Sequence, residues 1–229
     1  MAANPVQPGS KRCNICGGND FVPGYANRMG LNGVGPTCSK CKSAERHRIV
    51  RAMYVSLAPL VRGYRVLQFA PDMSLPVEDF ASFTGSTYGG LNSLDMMATG
   101  LADGSYDLVA SNHVLEHVKD DRAAIRELLR VVGPRGVIHV NVPSPTFVAR
   151  TVDWGFPDPA KTFHYRTYGA DAGQLLAQAH QDVHVIAAIG WDDVTDTPDI
   201  VYWLSLDDAL LYQFATRLVD SRIPVVKIR

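Results

Sequence analysis

Four cysteines, the chain's full complement, fall within the first 41 of its 229 residues. They form two C-x-x-C pairs, "CNIC" at 13–16 and "CSKC" at 38–41, with 21 residues between the pairs. A C-x-x-C knuckle turns two thiolates toward one point, and two knuckles close a tetrahedron around zinc. Cys13, Cys16, Cys38 and Cys41 are the expected ligands. Four thiolates fill the coordination shell, so such a zinc is structural and has no place for a reactive water. Its work is to fold a segment too small for its own core. The other reading is two reduced or redox-active thiol pairs.

The stretch that follows, "KCKSAERHRIVR" at 40–51, offers Lys40, Lys42, Arg46, His47, Arg48 and Arg51. Two readings stand beside each other. These cations touch phosphate, as in a nucleic-acid-reading ribbon, or they form a solvated helix face whose arginines pack on the neighbouring domain. The net charge of −1 favours the second, because the chain has no global field to draw nucleic acid.

The rest of the chain must position whatever chemistry it does. Hydrophobic residues make up 46% and charged residues 20%, which is a globular composition. Residues 1–12 read as a disordered tail, 13–42 as the ribbon and 43–229 as one further domain. Ser43 is placed to cap a helix running to about residue 57, ended by Pro59. Strands and helices then alternate. Strands are expected at 64–69, 87–91, 107–111, 137–142, 183–189 and 200–204. Helices are expected at 74–83, from Asp120 or Asp121 to Gly133, at 170–180, and over the C-terminal "DDALLYQFATRLV". Continuous apolar strands separated by helices imply a parallel sheet covered on both faces. The last two strands are joined by "GWDDVTDTPD", too short for a crossover helix, so they must pair antiparallel.

"YDLVASNHVLEHVKDDRAAIRELLRVVGPRGVIHVNVP", 106–143, resembles the second half of class I S-adenosylmethionine-dependent methyltransferases. "CNICGG", "CSKCKSAERHR", "VLQFAPD" and "HYRTYG" (164–169) resemble a bacterial subgroup that carries an N-terminal four-cysteine ribbon. In that subgroup the turn after the first strand commonly reads "APE" in place of a glycine loop. The resemblance covers about residues 13–180. It implies a Rossmann-like methyltransferase fold, mostly parallel with an antiparallel C-terminal strand, and S-adenosylmethionine as cofactor beside structural zinc.

The resemblance also implies a set of site residues. Gln68, Phe69, Ala70 and Asp72 form the first strand's end and its glycine-free turn. Asp72 is placed to pair with the cofactor's ammonium and Gln68 to bond at the same end; the alternative is that Asp72 only caps the next helix. Asp95-Met96 resembles the pair that frames the adenine, and Asn92 or Asp95 holds the ribose. Asn112 and His113 close the strand where the sulfonium lies. Such enzymes usually carry an acid at the end of the second strand and a third strand beyond it. Here both are missing from the pattern.

The 143–168 segment, rich in aromatics and proline, reads as a lid over the acceptor or as a loop packed on the ribbon. In-line methyl transfer to a hydroxyl or ammonium needs a base. His164 is the first candidate and His117 the second, with a core or capping role equally open to His117. Arg166 and Tyr168 are candidate acceptor-binding residues; Arg166 suits a carboxylate or phosphate. The expected acceptor is a small molecule. The alternatives are an RNA methyltransferase that reads RNA with its ribbon, and an inactive methyltransferase fold used for binding. A nicotinamide-dependent dehydrogenase is excluded by the lack of G-x-G-x-x-G. The first ten residues contain no apolar signal-like run, and no stretch reaches the ~20 apolar residues that span a bilayer. The expectation is a cytoplasmic protein with no membrane partner.

Overall fold

The computed structural model describes residues 11–143 and 148–229. The tail expected at 1–12 lies almost wholly outside the described residues, as does part of the 143–168 segment.

Two short strands, β1 (Phe21–Val22) and β2 (Thr37–Cys38), pair antiparallel and hold the cysteine knuckles. Helix α1 (Glu45–Val61) follows. It passes through Pro59, contrary to expectation. A proline in the last turn forfeits only one amide bond, and the chain breaks instead at Gly63, whose φ of 86° suits glycine.

The main sheet is built from β3 (Arg65–Phe69), β4 (Ser82–Ser86), β5 (Leu108–Asn112) and β6 (Val137–Asn141), all parallel. Helix α2 (Asp121–Val132) joins β5 to β6. Its N-cap is Asp120, which accepts from the Ala123 amide, and Gly133 (φ 68°) ends it. After β6 a two-stranded hairpin, β7 (Val152–Asp158) and β8 (His164–Thr167), stands apart from the sheet. Helix α3 (Ala172–Ala177) leads to β9 (His184–Trp191). Strand β10 (Pro198–Ser205) pairs antiparallel with both β9 and β6. Helix α4 (Asp208–Asp220) precedes an edge strand, β11 (Val225–Lys227), antiparallel to β9. The strand order is β11-β9-β10-β6-β5-β3-β4.

Alternate residues of each strand feed opposite faces. Val66, Leu108, Ala110 and Val137 pack with α1 and α4, where Tyr54, Trp203 and Phe214 are fully buried. Leu67, Val109, Ile138 and Val140 pack with α2 and α3. The result is three layers, as expected for a Rossmann-like methyltransferase fold. At Gly190 a β-carbon would stand 2.5 Å from Ile49 Cγ2, so this glycine lets α1 lie close on β9. No helix among the described residues is long and apolar enough to cross a membrane.

Two local expectations are corrected. The second strand lies at Ser82–Ser86, five residues before the predicted 87–91, and residues 87–91 form the turns after it. The predicted helix over 74–83 is reduced to one 3₁₀ turn, Val77–Asp79. Apart from Phe83, "SFTGS" is small and polar and lies at the sheet edge, so it lacks the apolar alternation that marks a strand.

Candidate active site and cysteine cluster

The four cysteine sulfurs lie within 4.8 Å of one another. Cys13 Sγ is 3.7 Å from Cys41 Sγ, and Cys16 Sγ is 3.6 Å from Cys38 Sγ. Tetrahedral zinc with bonds near 2.3 Å sets its sulfurs about 3.8 Å apart, so the donors and their spacing fit the metal. The residue after each pair is left-handed: Gly17 at φ 73° and Lys42 at φ 63°. Each donates its amide to the carbonyl of the first cysteine of its pair. The two knuckles thus share one backbone form, although only the first has a glycine.

The ribbon is fixed to the sheet through α1. Arg48 is 2% exposed, and its Nε and Nη2 each donate to Asp192 at 2.7 Å while Nη1 donates to the Ser43 carbonyl. Arg51 Nη2 donates to the carbonyls of Met73 and Leu75. These two arginines face inward, as the packing reading of 40–51 had it.

A cavity of about 1060 Å³ opens at the carboxyl ends of β3, β4 and β5. Phe69 and Ala70 form one side, Ser86 and Tyr88 another, and His113, Val114 and His117 a third. Asp95 and Met96 line it with Leu94 and Met97; Asp95 is its only carboxylate among the described residues. The β7–β8 hairpin contributes Pro157, Thr162, Phe163 and Tyr165 to the wall. Crevices at the carboxyl ends of parallel strands are the usual ligand sites of such sheets.

Ala70 has φ 46°, the left-handed region that favours glycine, and its amide donates to the Ser86 carbonyl. The turn therefore keeps the shape of a glycine turn. Pro71 makes it bulky, and the room comes from β4: a β-carbon on Gly85 would stand 2.8 Å from Pro71 Cγ. His113, at the end of β5, is also left-handed at φ 53°.

Asp72 is the hub of a polar network behind this turn. Its Oδ1 accepts from the Ser74 amide and hydroxyl and from Gln68 Nε2, and its Oδ2 accepts from Asn112 Nδ2. His47 Nδ1 accepts from the Ala44 amide, which puts the ring proton on Nε2, 3.6 Å from Asp72 Oδ2. Burial alone would raise the Asp72 carboxyl; the Ser74 bonds, His47 and Asn112 outweigh it and hold it below the usual range. Asp72 caps no helix here. Gln68 Oε1 and Asn112 Oδ1, buried beside it, have no hydrogen-bond partner. Two unpaired acceptors beside a carboxylate fit an ammonium group, so the cradle suits the amino-acid end of S-adenosylmethionine.

After β5, burial pushes the Glu116 carboxyl up to about 8 and pulls His113 down to about 3. The rings of His117 and His164 meet edge-on with centroids 4.5 Å apart. Burial, then the neighbouring His117 and Lys161, lowers His164.

Three sequence assignments are corrected by position. Asn92 does not line the cavity: its Nδ2 donates to the Gly85 carbonyl, and the strand that was to end near it ends at Ser86. Arg166 is 2% exposed and is consumed by Asp153 and by the carbonyls of Leu115, Val118 and Lys119. Tyr168 is 1% exposed and donates to Asp121. These two anchor the hairpin to the sheet and offer nothing to an acceptor. The left-handed Ala70 and His113, and the fit of Pro71 over Gly85, had no signal in the sequence.

Residues 69–140 match the sequence model of the methyltransferase domain family. That stretch, from the end of β3 to β6, is similar to a methyltransferase domain. Among solved structures, one similar fold is 1,6-didemethyltoxoflavin-N1-methyltransferase of Burkholderia thailandensis, with 14% identity over 67% of this chain and 75% of that one, TM-score 0.50. Others are the YcgJ protein of Bacillus subtilis (11% identity, 68% and 97% covered, TM-score 0.48) and an S-adenosylmethionine-dependent methyltransferase of Aquifex aeolicus (14%, 67% and 88%, TM-score 0.46). No curated protein matches the sequence significantly. Among the described residues no carboxylate stands at the end of β4 and no strand pairs beyond it, since β4 is the sheet's edge.

Proposed function

We propose that the chain transfers a methyl group from S-adenosylmethionine to a small-molecule acceptor. The observation that carries this is the cavity at the carboxyl ends of β3, β4 and β5, with the unpaired Gln68 and Asn112 carbonyls beside Asp72 behind the Ala70 turn that walls it, although none of these three lines the cavity itself. The cofactor supplies a methyl carbon on a sulfonium, open to in-line displacement by an acceptor lone pair. Asp72, Gln68 and Asn112 would bind its ammonium. Asp95 would accept from its ribose, and Met96, Met97 and Val114 would flank its adenine. The structurally similar B. thailandensis enzyme was solved with bound 1,6-didemethyltoxoflavin and S-adenosylhomocysteine, which agrees with this choice. So does the inward turn of Arg48 and Arg51, which takes them from a phosphate-binding face.

His117, on the cavity wall, or His164, whose ring meets it edge-on, would supply the base that a hydroxyl or ammonium acceptor needs. The hairpin would exclude water from the transfer. The four cysteines would hold a structural zinc whose only task is to shape the ribbon.

The missing carboxylate after β4 favours a second reading, a methyltransferase fold that binds without catalysing. Calorimetric titration of zinc-loaded protein with S-adenosylmethionine and S-adenosylhomocysteine separates these from the start. One-site binding weakened by Asp72→Ala and Asp95→Ala supports the proposal. No binding by folded protein removes it.

A further inference from the structure

We propose that Glu116, His117 and His164 form a second metal site, for a divalent transition cation, beside the cavity, whose wall His117 lines. The three side chains come from two elements: the 3₁₀ turn Leu115–His117 and strand β8. Each offers one ligand atom, and these atoms lie within 4.8 Å of one another. Glu116 is 1% exposed, yet its Oε2 has no hydrogen-bond partner. A buried carboxylate oxygen without a partner calls for a ligand.

The supporting contacts are those of a metal-binding histidine. His164 Nε2 is 3.0 Å from the Thr162 hydroxyl, which fixes its ring and leaves its other nitrogen to the cluster. His117 lies on the cavity wall, next to Val118 and across from Thr162 and Phe163. Two imidazoles and one carboxylate suit zinc, iron, cobalt or nickel better than magnesium or calcium. Such a set holds a metal with positions left open. In the cavity those positions are reached by an acceptor bearing paired oxygen or nitrogen donors, such as vicinal hydroxyls. That role for the metal rests on the methyltransferase reading and would replace the base role of His117 and His164, whose free ring lone pairs the metal takes; the metal site itself does not depend on that reading. The metal would also tie the hairpin to the turn after β5, since His164 belongs to one and His117 to the other.

The test is calorimetric titration of Co²⁺ into protein whose ribbon is already filled with zinc, with zinc content followed by mass spectrometry. The expected result is one cobalt per chain beyond the zinc. His117→Ala and His164→Ala should each weaken cobalt binding at least about tenfold, the smallest loss seen when even outer contacts of a metal site are removed. Both should keep one zinc per chain and an unchanged thermal midpoint. Absence of cobalt uptake by the wild type, or uptake unchanged in both variants, overturns the site. S-adenosylmethionine is titrated in parallel, so retained cofactor binding without cobalt uptake overturns the metal alone and leaves methyl transfer standing.

Discussion

Arg48 gives the sharpest test of how ribbon and sheet depend on each other. The side chain lies in the first turns of α1, 2% exposed, with both 2.7 Å bonds going to an aspartate that is also 2% exposed. Truncating one partner of a buried pair strands the other charge, which destabilises by about 3–5 kcal/mol. Asp192 Oδ2 keeps two bonds from Thr195, while Oδ1 loses the Nε donor. The lower end of that range is therefore expected, about 3 kcal/mol. In a domain of this size each kcal/mol moves the thermal midpoint by about 2–4 °C, so Arg48→Ala should lower it by about 6–12 °C. Zinc-loaded protein followed by calorimetry reads this directly. Arg48→Met with Asp192→Leu should recover part of the loss, because the stranded charge is gone. A midpoint within about 2 °C of wild type for Arg48→Ala, the size of an ordinary surface change, would refute the bracing role. It would return Arg48 to the phosphate-binding face that the sequence also allowed.

Three other outcomes follow from the same contacts. Gly85→Val should push Pro71 out of place and weaken S-adenosylhomocysteine binding at least tenfold, since the new side chain meets a ring that would stand 2.8 Å from its β-carbon; unchanged affinity in folded protein contradicts the fit of turn to strand. Hydrogen bonds from Arg130, and then from Thr99 against the opposing effect of burial, hold Glu127 down at about 2. A folded value below the ordinary one stabilises above the ordinary glutamate range and fades as pH falls toward 2. Glu127→Gln should thus be less stable than wild type at pH 7, with the gap closing below about pH 4 in urea melts; a gap independent of pH contradicts it. Chelation of the ribbon's metal should expose residues 13–42 to proteolysis and lower the thermal midpoint, and an unchanged digestion pattern would mean the cysteines hold no structural ion.

The parts of the fold that could be read from sequence are those where one strong local signal agrees with burial. β5 and β6 are mostly apolar and buried throughout, and α2 repeats its apolar residues at helical spacing between an aspartate cap and a glycine stop. The cysteine cluster was legible for the same reason: the two pairs that gather at one point form a short, local pattern. β4 was misplaced because an edge strand of small residues carries no such signal. Arg166 and Tyr168 were misassigned for a different reason. Their partners lie 47–51 residues away along the chain, as Leu115, Val118, Lys119 and Asp121, and no local pattern announces a guanidinium that will be spent on carbonyls.

The glycine-free turn after β3 shows how a fold can keep a geometry after losing the residue that usually provides it. An L-residue in the left-handed region is disfavoured by about 1–2 kcal/mol, and Ala70 occupies that region all the same. Its amide bond to Ser86 and the packing of Pro71 over Gly85 hold it there. The glycine has in effect moved from the turn to the neighbouring strand, where it makes room for the proline ring. A pyrophosphate would need backbone approach at the turn itself, and Pro71 has no amide proton to give it. An ammonium needs acceptors instead, and the residues behind the turn supply them: Asp72 with the unpaired Gln68 and Asn112 carbonyls. On the proposed reading the turn would select against phosphate and for a cationic amino-acid end, a choice that a search for glycines alone would read as the loss of a cofactor site.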